Sequence, residues 1–317
     1  MKCRICENSI NNKEYEVREM LLGTRDLFKY FQCSQCNCLQ IESFPKNIGK
    51  YYSKEYYSYK RIDQASLLKR TIRNLRHDYI LFQKNLIGKF ILSKKVKNYA
   101  LESLALLPSL NKKTRILDVG CGSGELLYFL QELGFSHLLG IDPFNEENIK
   151  YGNGLIIQKE SLKNIQDKWD LIMFHHSFEH LSNPFEVLLK TFYLLEKPGF
   201  CIIRIPTVSS LAWKQYNVDW VQLDAPRHFF LHSVKSIELL ANKSGFKVLN
   251  IVYDSTSFQF WGSEQYKNDI PLNDERSLNK NPEKSLFSKQ EINDFEKKSE
   301  ELNRKKYGDQ VVLLLGK

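Results

Sequence analysis

From residue 115 onward the apolar positions fall into short runs separated by stretches with helical spacing. The runs "RILDV", "LLGID", "LIIQ", "DLIMF" and "FCIIRI" read as strands, and the segments between them as helices. That alternation predicts an α/β fold with a parallel sheet covered on both faces. Two late strands, "FKVLNIVYD" and "QVVLLLGK", are separated by a helix over 289–305. Upstream, Leu68, Ile72, Leu75, Tyr79 and Phe82 form a helical stripe that Ser66 can cap, and a second helix runs through "KNYALESLALL". The first fifty residues instead alternate like short strands at "EYEV" and "LFKYFQ". The chain thus divides into a small domain over 1–50, a helical bridge over 51–110 and a main domain over 111–317, with 268–283 a long surface loop.

Composition adjusts this picture in two ways. Of 317 residues 42% are apolar, enough for a sizeable core, yet no stretch has the length to cross a bilayer. The start, "MKCRICENSI", lacks an apolar signal core, so the expectation is a cytoplasmic protein. The net charge of +9 suits nucleic acid, anionic lipid or phosphorylated substrates, but the lysines are scattered, as on an ordinary solvated surface. The basic stretches "KRTIRNLRH" and "LSKKVKN" are where a phosphate-rich partner or a membrane surface would make peripheral contact. The tyrosine-rich "YYSKEYYSYK" reads equally as a lid or as aromatic packing.

Seven cysteines in an unexported chain point to thiols or metal rather than disulfides. Cys3 and Cys6 form one CxxC pair and Cys33 and Cys36 another, 26 residues further on. Two intervening residues let both sulfurs of a pair face one ion from a tight turn, so the spacing predicts a structural zinc ribbon closed by four thiolates. Cys38 is a spare that could replace Cys36.

The segment "ILDVGCGSGELLYFL" carries the main chemistry. Gly120, Gly122 and Gly124 end the first strand and permit close backbone approach to a ligand. The dinucleotide pattern GxGxxG would place its third glycine at 125, which is Glu. Asp118, just before the turn, would repel a pyrophosphate and suits an ammonium. Asp142 ends the second strand, 22 residues after Gly120, where an acid can accept both ribose hydroxyls. S-adenosylmethionine offers an ammonium and a ribose without phosphate.

On these residues the chain resembles a class I S-adenosylmethionine-dependent methyltransferase. "ILDVGCGSG" is similar to that family's first motif, "GIDP" to its second, and "WDLIMFHHSFEHLSNPFEVL" to the stretch after its fourth strand. "LLEKPGFCIIRIP" resembles the lead into the fifth strand and "GDQVVLLLGK" the antiparallel seventh. "LDAPRHFFLHS", "GF" at 245–246 and "ELNRKKYGDQ" further resemble a bacterial subgroup with an N-terminal zinc ribbon, which includes methyltransferases of deoxysugar and surface-polysaccharide pathways. The resemblance implies a Rossmann-like, seven-stranded sheet with an antiparallel last strand. It implies that Asp118, Gly120, Gly122 and Gly124 hold the methionine portion and Asp142 the ribose. Ser161 and Leu162 would cradle the adenine, and His175 would line the cofactor. Sugar C-methyltransferases of the subgroup carry Tyr-His-Glu-His where this chain has "APRH", so only His228 matches and Arg227 replaces the glutamate, which weighs against C-methylation.

A hydroxyl acceptor needs a base, and histidine is suited to that near neutral pH. His228 ranks first and His180 second. Glu179 would bind substrate or order the following helix; Arg227 would bind a substrate phosphate or carboxylate, or form an ion pair. Trp213, Trp220 and Trp261 read as core packing before sugar stacking. The expected function is methyl transfer to a sugar, nucleotide sugar or glycan intermediate. RNA methylation through the ribbon is the first alternative and a non-catalytic scaffold the second.

Overall fold

The computed structural model describes residues 1–52, 62, 66–92 and 98–317. Three short antiparallel strands, β1 (Lys13–Arg18), β2 (Leu27–Gln32) and β3 (Leu39–Ile41), build the N-terminal unit. Helices α1 (Leu67–Phe82), α2 (Leu86–Leu92) and α3 (Tyr99–Leu104) follow. The main domain then runs β4 (Ile116–Val119), α4 (Glu125–Glu132), β5 (Leu138–Ile141), β6 (Ile149–Lys150), β7 (Ile156–Gln158) and β8 (Trp169–His175). Next come α5 (Pro184–Leu194), β9 (Leu195–Pro206), α6 (Leu211–Tyr216), β10 (Phe230–Leu231) and α7 (Val234–Lys243). The sequence closes with β11 (Lys247–Tyr253), α8 (Phe258–Lys267), α9 (Lys289–Arg304) and β12 (Gln310–Gly316).

The large sheet has the order β11-β12-β9-β8-β4-β5-β7-β6. β9, β8, β4, β5 and β7 are mutually parallel, and β12 lies antiparallel between β9 and β11. Sequence patterning anticipated this arrangement except for β6, a two-residue strand antiparallel to β7, which makes the sheet eight-stranded rather than seven. It is too short to leave a period-2 signature.

The core follows from strand geometry. Successive side chains point to opposite faces. Leu117, Val119, Ile172, Phe174, Ile203, Leu313 and Leu315 therefore pack on one face, and Ile116, Leu171, Met173, Ile202, Val312 and Leu314 on the other. Both sets are buried, which is why these strands read as uniformly apolar runs. The buried residues of α1 are not the expected stripe: His77, Ile80 and Leu81 are buried, whereas Leu75, Tyr79 and Phe82 are half-buried and Leu68 and Ile72 exposed. Ser66 is the N-cap residue, but its side chain makes no cap hydrogen bond.

The N-terminal unit is joined to the main domain by a shared sheet. β10 pairs with β3, with Phe230 opposite Gln40 and Leu231 opposite Leu39. The 268–283 segment is irregular, as expected, but it grips this unit. Leu272 N donates to Met20 O and Asn273 N to Leu21 O, while Asp269 accepts from Arg18 and Arg25. Among the described residues no helix is long and apolar enough to cross a membrane.

Candidate functional site

A cavity of about 400 Å³ opens at the C-terminal ends of β4, β5 and β8. In a parallel sheet flanked by helices this is where ligands bind. Its wall includes Gly120, Asp142, Phe144, Ser161, Leu162 and His180.

The glycine turn fits close against its neighbours. Gly120, Gly122 and Gly124 all have positive φ, at +73°, +55° and +80°. A Cβ on Gly120 would lie 2.5 Å from Ser177 Cβ, and one on Gly124 would lie 2.3 Å from Ile157 Cδ1. Glycine is therefore required by sterics as well as by φ. The turn is held open by Asp142, whose Oδ2 accepts from Gly122 N at 2.9 Å and whose Oδ1 accepts from Phe144 N at 2.9 Å. Each carboxylate oxygen keeps a second lone pair that a vicinal diol can use.

Asp118 lies one residue behind the cavity wall. It is 4% exposed, and its Oδ1 has no hydrogen-bond partner. Burial, with Asp142 adding repulsion, pushes its carboxyl up to about 8. A buried acid without a donor is stabilised by a cation, and an amino-acid ammonium meets that need. Ser161 Oγ, also buried, likewise has no partner, and Leu162 supplies apolar wall beside it. The donors and acceptors present thus fit an adenosyl amino acid at each of its three parts.

His175 falls short of the cavity. Both of its ring nitrogens are buried without partners, and burial, with Arg204 and His176 beside it, lowers its pKa to about 3. His176 and Ser177 form the wall instead. The chain turns at His176 (φ +51°), immediately after β8, so the side-chain alternation of the strand no longer applies there. Phe144 was not anticipated, and Tyr52, from the tyrosine-rich stretch, joins it in the wall. They stack at 5.7 Å, and Tyr52 Oη sits 3.3 Å from His180 Nδ1. The remainder of the tyrosine-rich stretch, residues 53–60, lies outside the described residues.

Glu179, His180 and His228 also converge, with one ligand-type atom from each within 4.8 Å of the others. Glu179 is fully buried and neither of its oxygens has a hydrogen-bond partner. Burial pushes its carboxyl up, but His176, His180 and His228 outweigh that and hold it at about 2. Burial, with His228 next to it, lowers the pKa of His180, so its ring is neutral at physiological pH. His232, the other histidine of this region, is buried behind the site with Nδ1 3.2 Å from Ser236 Oγ.

Arg227 does not face a substrate. Its guanidinium is fully buried and fully engaged: Nη2 with Glu19 at 3.0 Å, Nη1 with Tyr51 O at 3.0 Å, and Nε with Asp224 at 2.9 Å. Glu19 also accepts the backbone N–H groups of Leu21, Leu22 and Thr24. Of the two roles open to Arg227 in the sequence, the structure has the ion pair, and it ties Glu19 of the N-terminal unit to the segment that leads into β10.

The four predicted thiols come together. Sγ of Cys3, Cys6, Cys33 and Cys36 lie within 4.8 Å of one another, with Cys3–Cys36 at 3.6 Å and Cys6–Cys33 at 3.4 Å. Zinc–sulfur bonds in a tetrahedron set sulfurs about 3.8 Å apart, so the cluster has the size of a zinc site and all four cysteines are free. Gln40 Nε2 donates to Cys3 Sγ at 3.1 Å and Cys36 N to Cys33 Sγ at 3.5 Å, as suits thiolates. Cys38 stands apart, its Sγ 3.9 Å from His232 Nδ1.

A family profile described as a methyltransferase domain matches residues 92–251. The ribosomal protein L11 methyltransferase of Lactobacillus gasseri is 40% identical over 79 residues, covering 22% of this chain and 25% of that protein. The tRNA U34 carboxymethyltransferase of Campylobacter fetus is 25% identical over 161 residues, covering 46% and 56% respectively. The chain therefore spans between a quarter and just over half the length of these curated relatives. Among solved structures, a SAM-dependent methyltransferase from Archaeoglobus fulgidus aligns with a TM-score of 0.41 and 22% identity, covering 65% of this chain and 86% of that one.

Proposed function

The chain belongs to the methyltransferase-domain family, and from that premise we propose that it transfers the methyl group of S-adenosylmethionine to a small-molecule hydroxyl of the sugar, nucleotide-sugar or glycan class. The observation that carries the cofactor half is the buried, unpartnered Asp118 behind a glycine turn braced by Asp142. On this reading Asp118 and the turn hold the methionine end, Asp142 the ribose, and Ser161 with Leu162 the adenine. Methyl transfer then needs mainly alignment of the acceptor oxygen, methyl carbon and sulfur. Glu179, His180 and His228 are where the acceptor's proton leaves, with His228 foremost. Cys3, Cys6, Cys33 and Cys36 hold a structural zinc that fixes the N-terminal unit.

A small acceptor is favoured over RNA by the state of the ribbon's cations. Arg18 and Arg25 pair with Asp269, Lys50 with Asp26, and Arg4 donates to the carbonyls of Ile41 and Glu42. These groups are engaged within the chain rather than arrayed for phosphates. The free state of all seven cysteines is consistent with the cytoplasmic location expected from the sequence.

The test uses S-adenosylmethionine with a radioactive methyl group, incubated with the protein and a lysate from cells lacking it. Label in the small-molecule or lipid fraction supports this reading. Label that ribonuclease destroys makes RNA the acceptor.

A further inference from the structure

The hydrogen bonds of His180 and His228 fix which ring nitrogens are available. His180 Nδ1 lies 2.8 Å from Arg227 O, and His228 Nδ1 lies 2.7 Å from Gln222 O. A carbonyl oxygen only accepts, so each Nδ1 carries a proton and Nε2 is the ring atom left for another partner. His228 Nε2 lies 3.9 Å from Glu179 Oε1 and 3.8 Å from Asp224 Oδ2. These separations are too long for N–H···O bonds. His228 Nε2 thus faces the Glu179 carboxylate, fully buried and without a hydrogen-bond partner, across a small gap, and a ring nitrogen of His180 lies within 4.8 Å of both. His176 also faces Glu179. Its Nε2 meets Arg204 Nη1 at 2.5 Å, which leaves Nδ1–H facing Glu179 Oε1 at 3.6 Å, still beyond hydrogen-bond length.

We propose that Glu179, His180 and His228 form a binding site for a divalent transition-metal ion, separate from the four-cysteine cluster and at the acceptor end of the cavity. Two imidazoles and one carboxylate suit such ions and leave coordination positions open. Backbone carbonyls on the far ring nitrogens are the usual orienting contacts of metal-binding histidines. Bonds of about 2.1 Å would draw the three ligand atoms to about 3.0–3.4 Å apart, from a present spacing of up to 4.8 Å. His180 borders the cofactor cavity, so an open position on the ion faces the place where the acceptor enters.

The catalytic consequence rests on the methyltransferase reading. An ion there binds the acceptor hydroxyl and lowers its pKa. With the ion bound, His228 is its ligand instead of the base: the proton passes to solvent, the oxygen lone pair forms a bond to the methyl carbon, and the carbon–sulfur bond breaks with its electron pair retained by sulfur. His180 and His228 then act as ligands to the ion that removes the proton's hold.

The test is a titration of the full-length protein carrying one equivalent of zinc, held by the four cysteines, with Mn²⁺, read by the electron paramagnetic resonance of free Mn²⁺, without S-adenosylmethionine. Mn²⁺ prefers nitrogen and oxygen donors over thiolates, so the filled cysteine cluster does not contribute. One Mn²⁺ per chain is expected, with affinity falling at least tenfold in Glu179→Gln and in His228→Ala. Thermal transitions of both variants establish that they fold. Absence of Mn²⁺ binding, or Glu179→Gln binding as tightly as the parent, overturns the site. Cofactor binding is measured separately. Cofactor bound without Mn²⁺ overturns the metal site alone, and Mn²⁺ bound without cofactor supports the site while removing its proposed use.

Discussion

Replacing Asp118 by Asn should stabilise the cofactor-free protein and weaken cofactor binding at the same time. The wild-type carboxyl is raised from 3.8 to about 8 by burial and by Asp142. The native state therefore holds this proton more tightly than the unfolded chain, and stability falls as pH rises from about 4 toward about 8. At 1.36 kcal/mol per pKa unit the cost of Asp118 is about 1.7 kcal/mol at pH 5 and about 4 kcal/mol at pH 7. These are ceilings, because water entry and local relaxation relieve part of the strain. Asn has the same shape and no charge, so Asp118→Asn recovers that cost. The gain should grow between pH 5 and pH 7, on the order of 5 °C in the melting temperature at pH 7. Cofactor binding moves the other way, because the ammonium loses its counter-charge. A charged hydrogen bond of about 1.5–3 kcal/mol corresponds to a roughly 10- to 100-fold weaker dissociation constant. Denaturation across pH measures the first effect and calorimetric titration with S-adenosylmethionine the second. A variant that is less stable than the parent at pH 7, or that binds the cofactor within twofold of it, would refute this account of Asp118.

Arg227→Met should cost about 3–5 kcal/mol in denaturant unfolding, since it leaves Glu19 and Asp224 buried without their partner; a loss under 1 kcal/mol would return Arg227 to a substrate role. Gly120→Ala should lose cofactor binding, because its Cβ would lie 2.5 Å from Ser177 Cβ at a φ of +73°; calorimetry checks this. Protein purified without a tag should carry one thiolate-bound zinc per chain, lost with a drop in melting temperature in Cys36→Ser, whereas Cys38→Ser should retain it.

The placement of the glycine turn beside Asp118 and Asp142 was legible because it is local. The turn at 120–124, Asp118 and Asp142 lie close along the chain and at the ends of adjacent strands, so strand order alone brings them together. The four thiols were legible for a related reason: each CxxC pair fixes its own geometry before folding joins them. Arg227 was harder to read because its partner Glu19 is 208 residues away, and nothing in either neighbourhood announces a buried pair. The pairing of β10 with β3 is equally remote, and two residues are too few to leave a pattern. His176 displaced His175 from the cavity wall because the chain turns with positive φ just after β8, a backbone event that histidine does not signal. The 268–283 segment was polar enough to read as a long surface loop, yet the N–H groups of Leu272 and Asn273 are bound to Met20 O and Leu21 O.

The central claim is that the cavity at the ends of β4 and β5 holds S-adenosylmethionine. The most direct measurement is calorimetric titration of that compound into the wild-type protein and into Asp142→Ala. One site per chain is expected, with affinity reduced at least tenfold in the variant, whose ribose acceptors are gone. No binding to the wild type, or equal binding to both proteins, would contradict the account.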